Sequence, residues 1–93
     1  MAEASRRWLF FGHVQGVGFR ATALDIASRH VQVRGYVRNL PSGSVEVVAA
    51  GPSGTLRPFR LDIEAALGRH ITDVIEDVGP DPSLLPPGFE IRA

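Results

Sequence analysis

The stretch GHVQGVGFRA, residues 12–21, places three glycines (Gly12, Gly16 and Gly18) ahead of Arg20. Glycine loses more backbone entropy on folding than any other residue, so such a cluster marks an unusual turn or a close backbone approach. Its flanks say which elements it joins. Residues 7–12 before it (RWLFFG) are aromatic and apolar on both faces, as in a central strand, and Trp8, Phe10 and Phe11 read as core. After it, from Arg20 to His30, Ala23, Leu24, Ile26 and Ala27 supply the apolar face of a helix, with Phe19 just ahead. The stretch is a strand-to-helix junction.

Further along, residues 32–39 (QVRGYVRN) alternate Val33, Gly35 and Val37 against Arg34, Tyr36 and Arg38, a strand pattern. Leu40-Pro41-Ser42-Gly43 has the chemistry of a turn, and residues 44–50 (SVEVVAA) read as the returning strand of a hairpin. Gly51-Pro52-Ser53-Gly54 breaks the chain again, with Ser53 or Thr55 as the cap of a second helix. Leu56, Phe59, Ile63, Ala66 and Leu67 form one amphipathic stripe of that helix. Pro58 is tolerable in its first turn, and Gly68 is the expected stop. Residues 71–78 (ITDVIEDV) read as a strand whose buried face is ambiguous, because Val74 and Ile75 are adjacent. Residues 79–87 carry four prolines and read as a loop, and Phe89–Arg92 has the length of a short edge strand.

The order is β-α-β-β-α-β, the split βαβ or ferredoxin-like arrangement of the α+β class. It predicts two helices on one face of an antiparallel sheet, with a short fifth strand at an edge. A right-handed crossover makes the first two strands parallel even when a later strand lies between them. Their carboxyl ends then leave the sheet at the same edge. The glycine loop should therefore meet Arg38 and Asn39. The first helix starts at that edge too, and its free N–H groups favour an anion there.

Composition narrows the chemistry. The chain has 93 residues, enough for one core that buries roughly 60–65% of the unfolded surface. Apolar residues make up 44% and charged ones 22%, as in ordinary globular proteins. Cysteine is absent, which excludes disulfides, thiolate zinc sites and thiol chemistry. All ten cationic side chains are arginine. Without lysine there is no Schiff-base chemistry and no phosphate loop ending in Gly-Lys. Net charge is zero, so no electrostatic footprint for nucleic acid or an anionic membrane is present. No apolar run approaches a membrane span, and no signal-type segment follows the first residues. A cytoplasmic protein is expected.

Two segments carry a family resemblance. GHVQGVGFR (12–20) and GYVRNLPSGSVEVVAAG (35–51) resemble the two signature segments of the acylphosphatases, G-x-V-Q-G-V-x-F-R and then G-x-V-x-N, a turn and G-[ST]-V. GFEIR (88–92) is similar to the family's closing strand. The resemblance implies the ferredoxin-like fold already read from the element order. A single domain of this kind is expected over residues 1–93, with residues 1–6 expected to be flexible.

In function, it implies hydrolysis of an acyl phosphate to a carboxylate and inorganic phosphate, with no metal and no cofactor. The backbone N–H groups of Gln15, Gly16, Val17, Gly18, Phe19 and Arg20 would cradle the phosphate, and the Arg20 guanidinium would clamp it. Asn39 matches the asparagine that orients the attacking water. Inorganic phosphate or sulfate would occupy the same site. No nucleic-acid or membrane partner is implied, and a monomer is expected. Ala21-Thr22 stands where relatives often carry an aromatic pair, and Ser42 where many carry aspartate.

These residue types suit that reaction. An acyl phosphate expels a carboxylate, whose conjugate acid has a pKa of about 4, so no general acid is needed. Phosphoryl transfer asks chiefly for positioning and for charge stabilisation on the equatorial oxygens. One bidentate arginine and a nest of N–H donors supply both. A neutral amide cannot be a base at pH 7, but it can orient a water.

Taken singly, each residue has a plainer reading: a tight turn for the glycines, a solvated helix-terminal charge for Arg20, a turn former for Asn39. His13 reads as exposed, His30 and His70 as helix-end residues favoured by the dipole, and Asp73, Glu76 and Asp77 as a solvated strand face. Two other functions fit the same fold. One is a binding or regulatory module without catalysis. The other is a carbamoyl-phosphate-processing domain like that of the hydrogenase-maturation carbamoyltransferases, which continue into cysteine-rich zinc motifs. The cysteine-free chain ending at Ala93 favours the free-standing enzyme.

Overall fold

The aromatic segment forms β1 (Glu3–Gly12), an interior strand of a five-stranded sheet. The computed structural model describes residues 3–93. In chain order the other elements are α1 (Phe19–Ala27), β2 (Arg34–Asn39), β3 (Val45–Pro52), α2 (Leu56–Leu67), β4 (Ile71–Val78) and β5 (Phe89–Arg92). The sheet order is β4-β1-β3-β2-β5. β3 runs antiparallel to both β1 and β2, so these two are parallel with β3 between them, as the crossover rule requires. β5 joins β2 in parallel, which makes the sheet mixed and not wholly antiparallel. The proline loop carries the chain back across the sheet before β5 begins, which sets that direction.

Both helices lie on one face. Ala23, Ile26 and Ala27 of α1 and Leu56, Phe59, Ile63 and Leu67 of α2 pack on Trp8, Phe10, Val37, Val45, Val47 and Ala49. On the other face Val48 and Ala50 are covered by Leu85 from the proline loop, with Tyr36 alongside. β3 is thus buried on both faces, which explains its nearly unbroken apolar run.

Several boundaries and faces differ from expectation. β1 begins at Glu3, so residues 3–6 are strand and not a flexible lead; residues 1 and 2 lie outside the described residues. Backbone pairing of residues 3–6 with Pro52, Gly51, Ala50 and Ala49 holds them, and the Gly79 N–H donates to the Ser5 carbonyl. Phe11 is half-buried, because strand alternation turns it to the face without helices. Leu24 is 39% exposed and Ala66 is exposed, each at the margin of its helical stripe.

Thr55 takes the N-cap position of α2 but makes no side-chain cap hydrogen bond: a 3-10 turn (Ser53–Thr55) leads into the helix, and the Thr55 hydroxyl donates to the Pro52 carbonyl. Gly68 ends α2 without a left-handed φ and starts a second 3-10 turn. A bulge where β4 passes Gly12 lets both Ile71 and Val74 face the core, which removes the ambiguity over that strand.

Candidate active site

Phe10 and Asn39 both pair with Val45, from opposite sides of β3. The ends of β1 and β2 therefore reach one level of the sheet. Beyond Phe10 the chain turns through Gly12 (φ 122°), Gly16 (φ 78°) and Gly18 (φ 79°). Gly18 is the N-cap of α1 in the left-handed conformation, and its carbonyl accepts from the Thr22 N–H at 2.9 Å. A Cβ at Gly16 or Gly18 would meet nothing within 4 Å. Backbone conformation, not crowding, thus requires glycine at both positions, and the space above them is open.

α1 starts with no side-chain cap and no acidic residue in its first turn. Its first N–H groups therefore keep their partial positive charge for an outside acceptor. Over them lies a cleft of about 280 Å³ lined by Val14, Gly16, Gly18, Phe19, Arg20, Ala21, Asn39 and Ile91. Arg20 is the charged residue of this lining, and it has no ion-pair partner among the described residues. A second cleft of about 290 Å³ beside Trp8 holds Arg6, Arg57, Arg60 and Glu76, but there Arg60 is already bound to Glu64 and Glu76. In the glycine-loop cleft an arginine without an ion-pair partner among the described residues lies beside the uncapped N–H groups that start α1.

Of the positions singled out by sequence, namely Asn39 and the loop from Gln15 to Arg20, the cleft gathers Gly16, Gly18, Phe19, Arg20 and Asn39. Val17 packs instead against the core, and Gln15 points to the β2–β3 turn. The Gln15 Nε2 donates to the Leu40 carbonyl at 2.8 Å and to the Ser44 carbonyl at 3.0 Å. Its side-chain role escaped the sequence reading, which considered only its backbone.

Arg38, the residue before Asn39, is held from β3. Glu46, 2% exposed, binds Arg7 at 2.5 Å and Arg38 at 2.6 Å on the face without helices. Burial alone pushes the Glu46 carboxyl up, but hydrogen bonds and charge from the two arginines hold it below its ordinary value. The hydrogen bond to Glu46 also raises the Arg38 guanidinium. The residue next to Asn39 is thereby locked to the sheet.

None of the remaining candidates lines this cleft. His13 and His70 approach each other, with ring centroids 6.4 Å apart. His30 lies beyond the end of α1 and meets Asp62 of α2 at 2.7 Å. Asp73 and Asp77 are exposed as expected. Glu76 lies on the other face of β4, where the Trp8 indole N–H donates to it at 2.7 Å and lowers its pKa. No helix among the described residues is long and apolar enough to cross a membrane.

Fold and cleft together define a ferredoxin-like α+β protein whose sheet edge carries an arginine-lined, glycine-floored cleft. The family model for acylphosphatase matches residues 6–91. An acylphosphatase of Petrotoga mobilis is 56% identical over 76 residues, which cover 81% of this chain and 84% of that one. Acylphosphatase 2 of Ralstonia nicotianae is 38% identical over 81 residues, or 87% of this chain and 84% of that one. The crystal structure of acylphosphatase from Bacillus subtilis superposes with a TM-score of 0.82 at 26% identity, covering 99% of this chain and 100% of that chain. The chain belongs to the acylphosphatase family and is a hydrolase.

Proposed function

We propose that this hydrolase takes acyl phosphates, with the phosphate held by backbone N–H groups of Gln15–Arg20 and clamped by the Arg20 guanidinium, while Asn39 orients the water. What carries the reading is the meeting of Arg20 and Asn39 in one cleft over Gly16 and Gly18. Water attacks phosphorus and the bond from phosphorus to the acyl oxygen breaks. The carboxylate leaves unprotonated, and a phosphate oxygen takes the water's proton. Charge developing on the equatorial oxygens meets the helix N-terminus and the guanidinium, both already in position. The asparagine binds water as acceptor and donor at once, so it fixes the line of attack without changing its own charge.

Steady-state hydrolysis of benzoyl phosphate tests the reading, with acetyl and carbamoyl phosphate and a phosphate monoester for comparison, each with and without chelator. Acyl phosphates should turn over in the presence of chelator, and the monoester should not. Preference for the monoester would refute the substrate class.

A further inference from the structure

The Gln15 carboxamide crosses from the glycine loop to the β2–β3 turn and places both of its N–H donors on main-chain carbonyls there. Those carbonyls belong to the two ends of the turn. The Leu40 N–H donates to the Ser44 carbonyl at 2.9 Å, and the Gly43 N–H donates to the Leu40 carbonyl at 3.0 Å. Leu40 directly follows Asn39. Among the described residues, no main-chain hydrogen bond joins residues 13–18 to residues 40–44. The loop is also jointed, with left-handed glycines at 16 and 18 and another positive φ at Gly12. Without the amide, little but packing would fix the gap between the cradle and Asn39.

We infer that Gln15 is a positioning residue, whose side chain sets the distance and angle between the phosphate cradle and Asn39 and thus the line along which water reaches phosphorus. The inference rests on the roles proposed above for the cradle and for Asn39. It assigns Gln15 a function through its side chain in addition to its backbone N–H. Displacing a reacting group by about 1 Å lowers a rate by about 10²-fold, whereas binding of phosphate alone needs only the cradle.

The test is a double-mutant cycle on benzoyl phosphate hydrolysis with Gln15→Met, which keeps length and removes both donors, and Asn39→Ala. The inhibition constant of inorganic phosphate and the thermal midpoint are read alongside. Gln15→Met should lower kcat about 10–100-fold while the phosphate constant moves less than about threefold. The double variant should be no slower than Asn39→Ala, because Gln15 acts through that residue. Gln15→Glu should show the same kcat loss, since a carboxylate donates to neither carbonyl.

A slow Asn39→Ala beside a Gln15→Met at wild-type rate overturns the inference alone. So do losses that multiply in the double variant, or a phosphate constant that rises as far as kcat falls. If both Gln15 variants fail to fold, the amide is structural and the inference is likewise overturned. Wild-type rate in Asn39→Ala would refute the water-orienting role and this inference with it.

Discussion

Arg20, on the helix that follows β1, and Asn39, at the end of β2, line one cleft although β1 and β2 are not neighbours in the sheet. β3 makes this possible: it lies between β1 and β2, and Val45 brings Phe10 and Asn39 to a common level. Arg20 comes from the first turn of α1, and Asn39 is the last residue of β2.

Gly18 and Gly35 should respond differently to alanine. At Gly18 there is space for a methyl group, so the penalty is the left-handed backbone, about 1–2 kcal/mol. At Gly35 a Cβ would run into the Val48 carbonyl, and the strand pair must part. Gly35→Ala should therefore lower the denaturation midpoint more than Gly18→Ala. Gly18→Ala should raise the inhibition constant of phosphate more than Gly35→Ala does. Urea titrations and phosphate inhibition of the folded variants measure both.

Inorganic phosphate should raise the thermal midpoint through Arg20. A ligand at 100 times its dissociation constant adds about 2.7 kcal/mol to stability. The shift should vanish in Arg20→Ala and persist in Arg69→Ala, since Arg69 is exposed and not part of the cleft lining. Thermal scans over a phosphate series, at constant ionic strength, measure this.

Acid stability should depend on Glu46. Burial raises its pKa, but the hydrogen bonds and charge of two arginines outweigh this and hold the folded-state value below the ordinary one. The stabilisation is fully present above the unfolded value and is lost as pH falls through the folded one. Glu46→Gln should cost about 1–3 kcal/mol at pH 7, as expected for charge-assisted hydrogen bonds. It should also flatten the acid limb of the stability curve. An acid limb as steep in the variant as in the parent would refute this.

Phe59 joins the core at one point. Its ring lies 6.2 Å from Trp8, 5.6 Å from His30 and 5.4 Å from Phe89. Phe59→Ala should destabilise by about 3–5 kcal/mol, whereas Ala66→Ser on the exposed margin of α2 should change stability by less than about 0.5 kcal/mol. Denaturant midpoints at equal slope check both.

Element order and the approach of the glycine loop to the end of β2 at one sheet edge could be read from alternation, helical spacing and the crossover rule. The choice of Arg20 and Asn39 as site residues rests instead on the resemblance of their segments to the acylphosphatase signatures. What escaped reading depends on distant partners. Residues 3–6 are strand because they pair with residues 49–52, and nothing local says so. The direction of β5 depends on how the proline loop crosses the sheet. Gln15 resembles any polar loop residue until the Leu40 and Ser44 carbonyls are brought beside it. Glu46 is a lone charge in an apolar strand, and the two arginines that balance it come from both neighbouring strands.

In the proposed reaction Arg20 and Asn39 act together on one phosphate. Benzoyl phosphate hydrolysis by Arg20→Ala and Asn39→Ala, each shown to be folded by its circular dichroism spectrum, tests it most directly. Each variant should lose at least about 10²–10³-fold in kcat/KM, and Arg20→Ala should also lose phosphate inhibition. Wild-type turnover by either folded variant would contradict the account.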